Sequence, residues 1–402
     1  MNAADNGFIL ICAAFVFLMT PALALFYGGL VRSRNVLSTS MHSYACLGFM
    51  TVLWAIIGYS LAFGPDHGGL IGDFSYIFMR GVEGTAAPAA ENLAHPTFAM
   101  FQCMFACLTV ALISGAYAER IKFSGMLLFS CLWLLFAYVP MAHWVWGGGW
   151  MAQMGAVDFA GGAVVHMASG AAALACAQAL GPRIEGGIMS TGPHNLPMTL
   201  IGGGMLWFGW FGFNAGSALA AGDLAGHAFC TTHLATAFGM VGWLFVEWRR
   251  TGKPTSLGAV SGALAGLVVI TPAAGFVPIW SSMIMGFLAG MVCYGGVLLK
   301  SKFGYDDALD VVGIHGLGGT LGALLTGVFA CASVNGVDGL VFGNPHQLWV
   351  QFVSVVGTWV FVYIVSRILL AIVKATVGLR VDADVEVMGV DLNEHNERGY
   401  SL

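Results

Sequence analysis

Apolar runs of about 20 residues recur from one end of the 402-residue chain to the other, and a run of that length can cross a bilayer as a helix. Only 9% of the residues are charged while 58% are hydrophobic, against roughly 25% charged in soluble domains. So few charges cannot coat a water-facing surface. Length alone would suit two or three soluble domains, but the runs override that count. The chain reads as an all-α polytopic membrane protein, which excludes soluble enzymes, nucleic-acid binders and secreted disulfide scaffolds. Its nine cysteines are scattered through apolar runs, where a free thiol behaves as a small buried hydrophobe. Cys103 and Cys107 stand one helical turn apart, a poor metal site without further ligands, and no cofactor is expected.

Breakers between the runs predict eleven transmembrane helices, near 8–30, 36–63, 97–117, 124–144, 159–180, 196–220, 228–247, 257–272, 282–299, 309–331 and 347–374. Residues 1–7 carry no Lys or Arg, so the first run is expected to be a retained span rather than a signal peptide. Basic residues divide unequally between alternate loops. One set holds Arg32, Arg34, Arg120, Lys122, Arg183, Arg249, Arg250, Lys253, Lys300 and Lys302, and the other holds Arg80. Positive residues gather on the cytoplasmic side. The N-terminus is therefore expected outside, and a tail from about Gly378 inside.

The fifth run opens Asp158-Phe-Ala-Gly-Gly-Ala-Val-Val-His166, and the tenth opens Asp310-Val-Val-Gly-Ile-His315. Both read Asp-x-x-Gly followed by His in a Gly/Ala-rich helix. Five helices is an odd number, so a second copy must enter the membrane upside down. The expectation is a 5+5 inverted repeat, about 8–180 and 196–331, plus a C-terminal helix. Binding is then expected near the midplane, with a membrane domain over 1–377 and a cytoplasmic regulatory tail over 378–402. The runs Gly161-Gly162, Gly202-Gly203-Gly204 and Gly318-Gly319 suit close helix packing.

Ionisable groups inside spans are costly and usually face a pathway or a partner. His166 follows Asp158 by about eight residues, roughly 12 Å of helix, and His315 reaches a similar depth from the opposite face. A lone histidine there is most simply a satisfied core residue. Two at matched depth in matched halves point to a shared path. Asp158 and Asp310 are placed to cap free N–H groups and add negative charge near that path, whereas Asp306 and Asp307 read as solvated cap residues.

Aromatic residues cluster toward the outer side: Phe101, Phe105, Trp144, Trp146, Trp150, Trp210, Phe211 and Phe213. Tryptophan at an interface is ordinarily a membrane anchor. The Gly147-Gly148-Gly149 run beside Trp146 would instead let its indole rest on backbone, and a desolvated aromatic face attracts cations. Ser217, one turn beyond Phe213, adds a hydroxyl acceptor. An aromatic cage above an apolar constriction with two histidines implies a small cation that is stripped at depth.

At these residues the chain resembles the ammonium transporter family. The matching strings are Ala-Leu-Phe26-Tyr-Gly-Gly, Phe101-Gln-x-x-Phe105-Ala-Cys, Ala118-Glu-Arg-Ile, His143-Trp-Val-Trp146-Gly-Gly-Gly, the two Asp-to-His strings, His194-Asn-Leu-Pro and Gly209-Trp-Phe-Gly-Phe213-Asn-Ala-Gly-Ser217. The resemblance implies an outer ammonium site of Trp146, Phe105 and Ser217, supported by Asp158 without direct contact. It implies a gate of Phe105 and Phe213, a hydrogen-bonded pair His166 and His315, and a path lined by Trp210, Leu112, Leu206, Phe26 and Asp310. It also implies transport of ammonium, with methylammonium as analogue, by a homotrimer in the bacterial inner membrane. The tail, Asp391-Leu-Asn-Glu-His395-Asn-Glu397-Arg-Gly399-Tyr400, resembles the family's docking surface for PII-type nitrogen signalling proteins, with Gly399 where alanine is usual. Two rivals remain. A redox protein with His166 and His315 as haem or metal ligands would need further His pairs that neither helix supplies. An ammonium receptor would generally carry an extra signalling domain, and the chain ends soon after its tail motif.

Overall fold

The computed structural model describes residues 1–185 and 192–400. Its long elements are helices: α1 (Ala3–Leu30), α2 (Ser33–Phe63), α3 (His95–Tyr117), α4 (Phe123–Gln153), α5 (Gly162–Leu180), α6 (Leu196–Gly216), α7 (Asp223–Thr251), α8 (Ser256–Ile270), α9 (Ile279–Phe303), α10 (Val312–Phe329) and α11 (Pro345–Thr376). Among the described residues, ten of these are long and apolar enough to cross a membrane. The exception is α8, with 15 residues, which rises about 22 Å at 1.5 Å per residue. It falls short of a full crossing yet is buried along almost its whole length. α1 starts earlier than its apolar run because the Asn2 side chain accepts the Ala4 amide at 2.9 Å and caps it.

α3 and α5 are the most enclosed helices, while α7 and α11 lie at the periphery. α1 packs along α6, the first helix of the second expected half. α5 and α10 cross at the centre, and their contact is reciprocal. A methyl group at Gly170 of α5 would fall on the Gly316 backbone, and one at Gly319 of α10 would meet Gly162 O at 2.8 Å. Both helices open with a π-helical segment, Gly162–Met167 and Val312–Gly316, and each segment holds its helix's histidine. A π-turn adds a residue to the helical turn and re-aims the side chains it carries.

The 64–96 connection folds into two short antiparallel hairpins: β1 (Asp66–His67) with β2 (Ile71–Gly72), and β3 (Ala86–Ala87) with β4 (Ala90–Ala94). At the opposite end, where the basic loops gather, a buried ionic girdle ties four connections together. Arg183 pairs with Asp306 and Glu119, each at 2.9 Å, and Glu119 also accepts the Arg32 amide and the Asn35 side chain. Burial pushes Glu119 and Asp306 toward protonation, but the Arg32 amide and the Arg183 guanidinium outweigh it and hold both carboxyls below the usual range. Asp306 and Asp307 are each 1% exposed, so the expectation of solvated caps is corrected. An internal arginine claims the first, and the start of α10 claims the second.

The tail is ordered against this girdle as α12 (Ala383–Met388) and α13 (Val390–His395). Asp391 accepts the Leu37 and Ser38 amides at 3.0 and 2.7 Å, and Glu394 accepts the Phe123 amide at 2.8 Å. The tail thus supplies acceptors to the first turns of α2 and α4, which carry no side-chain cap of their own. A Cβ at Gly399 would stand 2.5 Å from a Val36 methyl.

Candidate functional site

Three cavities lie in series through the middle of the bundle. The outer one, about 250 Å³, is lined by Phe101, Gln102, Phe105, Trp146 and Ser217 among others. The middle one, about 10 Å³, is lined by Leu23, Phe26, Tyr27, Leu112, Leu206, Trp210 and His315. That is room for roughly one water-sized molecule. The inner one, about 60 Å³, is bounded by Phe26, Leu30, Ser261, Asp310 and Ile314.

The outer wall presents aromatic faces and one hydroxyl to the cavity. Trp146 donates its indole N–H to Asp158 O at 3.0 Å, which spends its donor and leaves the ring face as what it offers. Its ring lies edge-on to Phe105, with centroids 6.1 Å apart. Ser217 donates its hydroxyl to Phe213 O at 2.8 Å, so only lone pairs remain for a ligand. The Asp158 carboxylate is turned away and accepts the amides of Gly161, Gly162, Ala163 and Val164. It holds the start of α5 and, through its own carbonyl, the Trp146 indole. Gly161 adopts φ 122°, a conformation that favours glycine, and a Cβ there would stand 3.4 Å from that indole.

The neighbouring glycine run does something other than expected. Gly147 and Gly149 return their amides to His143 O, and Gly148 takes φ 87°. The run is a turn, and Gly161 is the glycine against the indole. Trp144 and Trp150 pack on each other, Trp144 also on Phe361, away from the outer cavity. Below the cage, the Phe105 and Phe213 rings lie 4.3 Å apart and are almost fully buried, closing the way down.

Beneath this lid the two histidines meet. His166 Nδ1 and His315 Nδ1 are 3.2 Å apart. The His166 ring stacks on Trp210 at 5.3 Å, and its Nε2 has no partner. Trp210 is fixed by an indole bond to the Thr271 hydroxyl at 2.9 Å. A neutral pair shares one proton across the facing nitrogens, so one ring keeps an Nε2–H and the other an Nε2 lone pair. The pair therefore presents a donor and an acceptor to an otherwise apolar passage. Among the described residues, no three His, Cys, Asp or Glu side chains converge as a bound metal would need.

At the inner end the expected cap is exchanged between two aspartates. Asp307 accepts the Val312 amide at 2.6 Å, while Asp310, with φ 64°, forms an ion pair with Lys300 at 2.6 Å. Asp310 does line the inner cavity, but it does not cap α10. Three neighbouring residues were passed over in the sequence. Gln102 is 8% exposed, and its side-chain oxygen is without a partner. Tyr27 donates to Leu112 O across the middle cavity. Lys300 had counted only as loop charge. A polar side chain inside an apolar run was the available signal for Gln102 and Tyr27.

Of the four tail residues expected to meet a partner, Asp391 is 3% exposed and holds α2. His395 lies edge-on to Phe123. Tyr400 OH bonds His194 at 2.8 Å, and Glu397 is exposed.

The model of the Ammonium Transporter Family matches residues 7–400. The chain is 51% identical to an ammonium transporter of Bacillus subtilis, covering 100% of this chain and 99% of the relative. It is 48% identical to a putative ammonium transporter of Methanothermobacter thermautotrophicus, with the same coverage. Among solved structures it is similar to Saccharomyces cerevisiae Mep2, with a TM-score of 0.89, 36% identity, and coverage of 96% of this chain and 88% of that one. It is also similar to a structure titled Sensor Amt Protein, with a TM-score of 0.91, 27% identity and 98% coverage of both.

Proposed function

Because the chain belongs to the ammonium transporter family and is a multi-pass membrane protein, we propose that it captures ammonium in the outer aromatic cavity, deprotonates it below the phenylalanine pair, and conducts ammonia past His166 and His315 to the inner cavity. The observation that carries this reading is the Nδ1–Nδ1 contact of 3.2 Å placed between an aromatic cage and a passage with room for one small molecule.

The chemistry follows from solvation. An ammonium ion taken into hydrocarbon pays a desolvation cost of several kcal/mol even after relaxation, and neutral ammonia largely escapes it. In the cage, the faces of Trp146 and Phe105 and the lone pairs of Ser217 replace part of the ion's water. Past the gate only the neutral species is cheap to move. The Nε2 lone pair of the histidine pair then accepts a hydrogen bond from ammonia or takes the proton itself. A proton relayed through the imidazoles makes transport carry charge, and a proton left outside makes it silent. The facing of the two rings speaks against a shared haem or metal, because each points its Nδ1 at the other.

The same reading extends to the whole chain. Eleven crossings follow if α8, enclosed by its neighbours, completes its passage inside protein rather than lipid. The ten-to-one division of basic loop residues then sets the N-terminus outside and the tail inside, in a bacterial inner membrane. The family resemblance adds a homotrimer with one pore per protomer. It also makes the exposed side of the tail, with Glu397 and Tyr400, the surface a PII-type protein meets first.

The test is ammonium-evoked current and methylammonium uptake in liposomes of purified protein. Saturable uptake supports the reading, and the current states whether charge moves with it. Saturable ammonium binding without flux would favour the sensor reading, which likeness to a sensor protein makes the natural second choice.

A further inference from the structure

Beyond the inner cavity sits a lysine the transport reading does not use. Lys300, in the last turn of α9, is 7% exposed. Its Nζ lies 2.6 Å from Asp310 Oδ1 and 3.2 Å from Asp307 O. A second carboxylate oxygen, Asp307 Oδ1, is buried beside it without a partner. The nearest further charges, Asp306 and Arg183, are already paired with each other. Asp310 also faces the inner cavity, whose wall includes Ile314, the neighbour of His315. One carboxylate therefore stands between the route of an ammonium-derived substrate and an ammonium group tethered to the protein.

An alkylammonium and a free ammonium ion carry the same charge and the same kind of N–H donor, three on the first and four on the second. Left unpaired, Asp310 with the Asp307 oxygens would make a partly dehydrated cation site at the inner mouth. Such a site would hold ammonium, or potassium of similar size, where a conducting pore should release its product. We propose that Lys300 is a specificity-determining residue of the inner mouth: its side chain occupies the place of a cation, neutralises Asp310, and keeps the inner cavity from retaining ammonium or alkali ions. This rests on the transport reading for its purpose, but the cation site itself can be measured without transport.

The experiment is equilibrium binding of radioactive rubidium to purified protein, together with methylammonium uptake in oriented liposomes with potassium on one side only. Lys300→Met is expected to gain a rubidium site absent from the wild type. Its uptake should become sensitive to potassium on the Asp310 side alone, with the inhibitory concentration lowered by about tenfold or more. The double variant Lys300→Met/Asp310→Asn should lose that site again, and Lys300→Arg should never show it. Where Lys300→Met does not insert, Lys300→Gln keeps a donor for the Asp307 carbonyl and is read the same way. No gained rubidium site in the neutral variant, or an equal gain in the double variant or in Lys300→Arg, overturns the proposal. Absence of uptake by the wild type would instead count against the transport reading and leave the rubidium result standing.

Discussion

His166 and His315 face each other through Nδ1 atoms, so whatever one ring does with its proton the other must answer. A carboxylate in that place accepts a proton but brings a fixed negative charge when it has none. His166→Glu should therefore admit potassium, measured as potassium flux into liposomes that wild-type protein keeps closed to it. Continued exclusion of potassium would remove the pair from the selectivity account. At the cage, Trp146 offers a ring face and nothing else, since its N–H is given to Asp158 O. Trp146→Leu loses a desolvated cation–π contact of about 2 kcal/mol, roughly 30-fold in affinity. The concentration for half-maximal methylammonium uptake should rise toward that factor. No change would return Trp146 to the role of an interface anchor. That the two histidines would meet could be expected from their matched places in the fifth and tenth runs, and their rings do face each other. The division of labour among Asp306, Asp307 and Asp310 could not. It depends on a left-handed backbone at Asp310 and on arginine and lysine partners far away in sequence.

Most helix positions were legible to within about five residues because the runs are bounded by glycine, proline or charge, but α4 runs on to Gln153, nine residues past its expected end. The π-helical openings of α5 and α10 were not, since one added residue leaves the apolar pattern intact while turning the histidines. The order of the tail was equally hidden. Its motif resembled a docking surface, whereas Asp391 and Glu394 serve the starts of α2 and α4. Asp391→Ala removes acceptors from two amides at a helix start, where a lost cap costs about 1–2 kcal/mol. The detergent-solubilised variant should unfold at a lower temperature than wild type, and an unchanged transition would mean the tail contact is incidental. The girdle makes a pH prediction of defined sign. Glu119 and Asp306 are held below the usual carboxylate range, so their contribution is full above that range. It is lost as pH falls through their lowered values. Thermal stability should drop below about pH 4, and less steeply in Arg183→Met, whose girdle is already broken. Parallel acid profiles in the two proteins would contradict this.

For the whole molecule, composition decided the class and the resemblance decided the family, while the row of cavities emerged only with side chains in place. Three cavities, a ring pair and a histidine pair are contributed by α1, α2, α3, α4, α5, α6, α8 and α10, and no single stretch of sequence contains them. The glycine positions at which α5 and α10 touch backbone to backbone leave no room for a side chain between them. On the proposed reading, substrate moves along this one path as a species the histidines help to strip of its proton. The most direct test is ammonium flux into liposomes by wild type, His166→Ala and His315→Ala at equal protein density, each checked for a retained fold. Both alanine variants should slow flux severely while the outer cavity still binds the ion. Wild-type rate and selectivity in both would mean that the histidines are satisfied core residues and that the path lies elsewhere.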